Sequence, residues 1–239
     1  MSKDLKKRLD QLLVDRNIVS SKTLAQSMIM AGQVLVNNKV ITKSGNNFSE
    51  NIKIDIKKLH PDWVSRGALK LLKAVDKFKL EIKDKTCLDI GSSTGGFTEV
   101  LLKNGAKKIF SVDVGTNQLH EKLKKEKKII SIENCNAKYL NKLIIPDKVD
   151  LLVCDVSFIS LKKVIFPSLK LLSSESEIVA LIKPQFETQK ANLKKGVVKD
   201  ILIHKKICED IEKWFIKVCK ANVIGVTTSP ITGPKGNVE

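Results

Sequence analysis

The sequence predicts a doubly wound α/β domain preceded by a small α+β module. Three observations carry this. From about residue 68, short apolar runs of strand length alternate with helical stretches. A glycine-rich turn, GSSTGGF, follows the first of those runs. Before residue 60 the pattern differs, and a polar break at KLHPDWVSRG separates the two parts.

In the first part, Leu5, Leu9, Leu12 and Leu13 recur at helical spacing, with Asp4 placed to cap them. A second helix is expected over 21–31. Leu24, Ala25, Met28 and Ile29 fall on one face, and Gly32 follows where a helix-ending glycine belongs. VLVNNKVIT alternates about Asn37 and Asn38, and asparagine tolerates positive φ, so the stretch reads as a tight hairpin. IKIDI closes the unit as a strand near Ile56. This gives a module over residues 1–60, a linker over 61–66 and a second domain over 67–239.

In the second part the expected strands are CLDIG, IFSVDV, IISIE, DLLVCDV, IVALIK and VIGVTTS. Helices fall between them, for instance at 97–104 and 202–220. Unbroken apolar strands belong to a parallel sheet covered on both faces. Ligands of such sheets sit outside the carboxyl ends of the strands. Strand tips are therefore the places to look. VALIKPQFE ends a buried-strand signature on Lys183, with Pro184 behind it, and LLVCDV ends on Asp155. Taken singly, Lys183 reads as a snorkelling side chain and Asp155 as a turn or cap residue. On neighbouring tips beside a ligand loop, they read as a site.

Composition narrows the classes. Of 239 residues, 42% are hydrophobic, enough for an ordinary core. No apolar run approaches the roughly 18 residues of a membrane span. MSKDLKKRLDQLL is basic but lacks the apolar segment of a signal peptide, so a cytoplasmic protein is expected. The five cysteines form no CxxC pair, and His60, His120 and His204 lie far apart, so no metal site is expected. The net charge of +17 is the footprint of a polyanion binder. Nothing in the sequence sets an oligomeric state.

LDIGSSTGGF is a ligand loop without a phosphate clamp. A dinucleotide fingerprint would need glycine where Ser93 stands. A P-loop would need Gly-Lys-Ser/Thr where Gly96, Phe97 and Thr98 stand. What remains is a tight turn at Gly91, Gly95 and Gly96, preceded by an acid, Asp89. Such a loop suits a nucleoside with a cationic tail, such as S-adenosylmethionine. Asp113 ends the second strand about twenty residues on, where an acid can bond ribose hydroxyls. The alternative is a glycine cluster that serves chain geometry alone.

At this point the chain resembles the TlyA family, historically also called hemolysin A, of ribosomal RNA 2′-O-methyltransferases. RLDQLLV, AGQVLVNNKVI and IKIDI resemble an S4 RNA-binding domain. VSRGALKL, LDIGSSTGGFT, VDVGTNQL, CDVSFISL, LIKPQFE and GPKGNVE resemble the successive motifs of an FtsJ-like, Rossmann-like class I methyltransferase domain. The resemblance implies a catalytic tetrad at Lys70, Asp155, Lys183 and Glu239. It implies a cofactor site at Asp89, Gly91, Ser92, Ser93, Gly95, Gly96, Phe97, Asp113, Asn136 and Asp155. Arg8, Lys22 and Arg66 are the expected RNA contacts, and the partner is ribosomal RNA or a ribosomal subunit. The chain departs from the pattern at Thr116-Asn117, where Tyr-Gly is usual, and at Asn134, where arginine is usual. The family also continues past GNVE into a final strand, which implies a truncated last strand here.

The implied reaction moves a methyl group from S-adenosylmethionine to a cytidine ribose hydroxyl. Lysine and carboxylate neighbours act on Lys183 in opposite senses, so two roles stay open: base, or a charged group that orients the alkoxide. Two other functions are compatible with the sequence. One is an inert ribosome-binding or assembly protein. The other is a membrane-active hemolysin using the amphipathic stretch Ile207, Ile211, Trp214, Phe215 and Val218. The competing reading of that stretch is a helix covering the sheet.

Overall fold

The computed structural model describes residues 6–19, 21–30, 32–56 and 63–239. The N-terminal module begins with strand β1 (Lys6–Arg8) and helix α1 (Leu9–Asp15), followed by α2 (Lys22–Met30). Strands β2 (Val34–Val36), β3 (Lys39–Val40), β4 (Asn47–Ser49) and β5 (Ile54–Ile56) complete it. Leu9, Leu13, Ala25, Ile29, Val34 and Val36 form its core. The β2–β3 hairpin turns on Asn37 and Asn38, whose φ values of 49° and 65° are the left-handed pair expected of such a turn. Two features differ from the sequence reading. The chain enters α1 through β1, which pairs with β4. The proposed cap Asp4, with Leu5, lies outside the described residues.

The second part opens with α3 (Ala68–Phe78) and β6 (Thr86–Ile90). Then come α4 (Gly96–Lys103), β7 (Lys108–Val112), α5 (Glu121–Lys124) and β8 (Ile129–Ile132). Next are β9 (Val149–Cys154), α6 (Leu161–Ser168), β10 (Leu172–Ala180), α7 (Pro184–Glu187) and α8 (Ile201–Lys217). Five strands make one parallel sheet in the order β10-β9-β6-β7-β8. Every residue of the central β6 is buried, which is why Cys87, Leu88 and Ile90 show no exposed polar alternation; Thr86 and Asp89 are buried with them. Cores lie on both faces. One gathers Leu71, Val100, Leu101 and Ile109; the other gathers Leu88, Phe110, Leu152 and Ile165. Each such side chain contributes about 1.5–3 kcal/mol on burial.

Topology places the site. From β6 the chain builds outward through β7 and β8, then returns to add β9 and β10 on the other side. The order reverses between β6 and β9, and at that reversal a crevice opens beyond the strand tips.

The expected last strand, VIGVTTS, is not a strand here. It packs on α3 instead: Gly225 lies against Phe78, and Lys73 donates to the Thr228 carbonyl. An apolar cavity of about 1450 Å³ is lined by both this segment and β10. Without a backbone partner, an apolar run does not become a strand. Helix α8 buries Ile207 and Ile211 and sets Trp214 and Phe215 against the core, while Val218 of the amphipathic stretch is exposed.

Candidate active site

Three strand tips and one helix meet in a cleft. Asp155 follows β9 and Lys183 follows β10, while Lys70 projects from the first turn of α3. Lys183 Nζ lies 2.5 Å from Asp155 Oδ1 and donates a hydrogen bond to Ser157 Oγ at 2.9 Å. The contact with Asp155 is an ion pair; the aligned hydrogen bond goes to Ser157. Lys70 Nζ lies 3.5 Å from Asp155 Oδ2 and 2.6 Å from Glu239 Oε2. The four side chains therefore run in a chain, Lys183–Asp155–Lys70–Glu239, with charges alternating along it.

Pairing outweighs burial at Asp155 and Lys70. Lys183 is only 7% exposed. Burial alone would raise the Asp155 carboxyl, but Lys183 and Lys70 override it and hold the group below the usual carboxylate range. Burial alone would lower Lys70, but Asp155 and Glu239 reverse the sign and raise it. These two groups hold each other in their charged forms.

The glycine turn sits on the same crevice. Gly91 has φ +82°, and a β-carbon there would stand 2.6 Å from the Asp155 carbonyl oxygen. Only glycine lets the tips of β6 and β9 approach this closely. Gly96 is similarly tight, since a β-carbon would meet Ala68 N at 2.9 Å. Asp113 follows β7 and accepts from Ser93 N and Gly115 N, both at 2.8 Å. It fixes the loop and keeps a free lone pair on each oxygen. Asn136 caps a short turn through Lys138 N, close by, since Cys135 N donates to the Asp113 carbonyl.

The cleft has a volume of about 240 Å³ and is bordered by Lys70, Asp155, Lys183, Ser92, Ser93 and Arg66. Of the expected cofactor residues, Asp89 lies beneath this lining. It is fully buried under the loop, where Thr98 Oγ1 donates to it at 2.6 Å. Burial pushes its carboxyl up to about 7. Phe97 borders the cleft from the core cluster of Leu71 and Val100. Of the expected RNA contacts, Arg66 borders the cleft with its buried Nε unpartnered, and Lys22 is exposed at the start of α2. The guanidinium of Arg8 is engaged by Asp10 at 2.6 Å, with half its side chain exposed. Sequence reasoning passed over Ser157, although it stands two residues past Asp155. It also passed over Phe158 and Phe186, whose rings meet at 5.1 Å between centroids beside the tetrad.

A parallel sheet reversing at β6–β9, a glycine turn with carboxylates but no phosphate clamp, and buried lysines at the strand tips define a Rossmann-type methyltransferase. Residues 63–239 match the FtsJ-like methyltransferase family, and residues 7–51 match the S4 domain. The chain belongs to the TlyA (hemolysin A) family of S4-linked, FtsJ-like methyltransferases. It is 39% identical to Hemolysin A of Brachyspira hyodysenteriae, over 97% of each chain. It is 37% identical to the 16S/23S rRNA (cytidine-2'-O)-methyltransferase TlyA of Mycobacterium tuberculosis, over 97% of this chain and 87% of that one. A solved Streptococcus thermophilus protein of the hemolysin group superposes with a TM-score of 0.74 at 36% identity, over 99% of this chain and 86% of that one.

The methyl donor is S-adenosylmethionine, and the cleft fits it. The carboxylates beside the glycine turn, Asp113 and Asp155, suit hydroxyls and a positive sulfur better than phosphates. Among the described residues, no cluster of His, Cys, Asp and Glu could hold a metal ion.

Proposed function

We propose that the protein methylates the 2′-hydroxyl of a cytidine ribose in ribosomal RNA. The observation that carries this is the buried Lys183, held by Asp155 and Ser157 at the mouth of the methyl-donor crevice. S-adenosylmethionine supplies a methyl group on a sulfonium that leaves as a neutral thioether. A ribose hydroxyl is a weak nucleophile, and it gains from losing its proton as it attacks. Lys183, entering the reaction as the neutral amine, takes that proton and becomes the ammonium that pairs with Asp155. Asp155 and Ser157 aim its nitrogen, while Lys70 and Glu239 fix Asp155. Gly91, Ser92, Ser93 and Asp113 hold the donor, with Asn136 at its far end. Proximity and alignment supply much of the rate.

Several observations favour RNA as the substrate. The S4 domain matches over residues 7–51, and the net charge is +17. The M. tuberculosis relative is named a 16S/23S rRNA (cytidine-2'-O)-methyltransferase. Phe158 is 83% exposed, sits in the left-handed region at φ +65° and packs on Phe186. An exposed aromatic held there against its backbone preference suits stacking on an unpaired base. No helix among the described residues is long and apolar enough to cross a membrane, and Trp214 and Phe215 of α8 pack against the core. We place the reaction in the cytoplasm, on ribosomal RNA or a ribosomal subunit.

The test is a map of 2′-O-methylation on ribosomal RNA from cells with and without the protein. A cytidine mark that vanishes with the gene and returns with it is expected. An unchanged map sinks the reading and favours an inert ribosome-binding protein.

A further inference from the structure

Two lysine-tipped turns stand side by side next to the tetrad. The first spans 194–197. Lys194 and Val197 exchange both backbone hydrogen bonds, at 2.9 and 3.1 Å, around Lys195 and Gly196. Both central residues are left-handed, at φ +55° and +82°. Glycine, asparagine or aspartate normally fills such a position, because a lysine β-carbon is strained there. The second turn repeats the device. Lys235 and Gly236 have φ +60° and +82°, and Gly233 N donates to the Asn237 carbonyl at 2.8 Å.

One buried side chain locks the two together. Asn237 is 2% exposed. Its Nδ2 donates to the Gly196 carbonyl at 3.2 Å and to the Pro234 carbonyl at 3.0 Å. Its Oδ1 accepts from Val198 N at 3.4 Å. Lys235 then lies over the first turn: a β-carbon on Gly196 would sit 3.1 Å from its Nζ. Lys194, Lys195 and Lys235 are all exposed, and no carboxylate pairs with any of them among the described residues. Like charges brought together without a counter-ion repel, so this arrangement costs stability unless an anion completes it. Its position says which anion. Gly233 and Pro234 border the cleft of Asp155 and Lys183, and the Glu239 carboxylate abuts Gly233.

We propose that Lys195 and Lys235, locked by Asn237, form a phosphate-binding site that grips the RNA backbone beside the target ribose. The site rests on the RNA reading above and deepens it. The S4 domain would supply general affinity, and the twin turns would set the register of the strand at the tetrad. Phosphate contacts position without reading sequence, which is what a tetrad aimed at one ribose requires.

The experiment is an anisotropy titration of a short, labelled single-stranded RNA by the full chain over a series of salt concentrations. Replacing both lysines (Lys195→Ala with Lys235→Ala) should weaken binding roughly ten-fold and lower the salt slope by about one to two. The arginine pair (Lys195→Arg with Lys235→Arg) should keep both near wild type, because the charge is what the phosphates meet. Binding of S-adenosylmethionine, followed by calorimetry, should be equal in all three proteins. Wild-type affinity and slope in the alanine pair overturn the proposal. So does loss of cofactor binding in that pair, since the lysines would then be supporting the fold. Failure of the methylation reading looks different: the slope would still fall, but the wild type would leave no 2′-O-methyl mark.

Discussion

Lys70 and Glu239 meet at 2.6 Å across 169 residues of chain, and Glu239 is completely buried at that contact. The pair fixes one end of the tetrad. Lys70 in turn reaches Asp155, which holds Lys183.

Glu239→Gln keeps the shape and removes the charge. Lys70 would then have one carboxylate where it now has two. The expected result is a fall of about ten- to a hundred-fold in the methylation rate, with S-adenosylmethionine binding retained. Single-turnover methyl transfer and calorimetry check the two halves. Lys70→Ala should be worse for stability, by about 3–5 kcal/mol, because it leaves the buried Glu239 side chain unpaired and removes one of the two cations on Asp155.

Lys183→Ala should reduce methyl transfer by about two to four orders of magnitude while cofactor and RNA still bind. Lys183→Arg should fail as well, since guanidinium keeps its proton. Substantial turnover by the arginine variant would mean that Lys183 orients the alkoxide and does not take its proton.

Phe158→Ala removes the exposed ring at the rim. A lost base stack costs about 1–3 kcal/mol. The loss should appear in kcat/KM for RNA, leave the affinity for S-adenosylmethionine alone, and be largely rescued by Phe158→Tyr. Equal kcat/KM in Phe158→Ala and wild type would remove the ring from the substrate's path.

Asp89 gives a pH prediction. Burial raises its folded-state carboxyl to about 7, above the unfolded value of about 3.9. The folded state thus binds the proton more tightly, and stability falls as pH rises from about 4 to about 7. Asp89→Asn lacks that proton. Urea melts should show the variant gaining on wild type by about 2–3 kcal/mol between pH 5 and pH 8. A gain that is flat with pH would show that Asp89 is ionised throughout.

The α/β domain was legible because central parallel strands bury both faces, so β6, β7 and β9 are rich in apolar residues on both sides of the pleat. The candidate site was legible for a related reason: a lysine ending an apolar strand has few uses. The rest depended on contacts no local pattern encodes. VIGVTTS has the composition of a strand, but pairing is settled by neighbours, and it packs on α3. β1 and β4 are three residues each and define themselves only by pairing. Asp89 looked like a cofactor ligand from its place before the glycines; its burial beneath them is a tertiary fact. Asn237 carried no signal at all, since its three bonds reach the 196–198 turn and its own loop.

The contact between Gly91 and the Asp155 carbonyl has a consequence for variation in this loop. Position 91 admits one amino acid: any other would wedge the β6 and β9 tips apart and carry the donor away from its base. Two residues on, Ser93 is also left-handed, at φ +48°, a conformation that glycine and asparagine adopt more readily than other residues. Saturation mutagenesis under selection for activity should therefore return a single survivor at 91 and a small family at 93, with glycine and asparagine foremost.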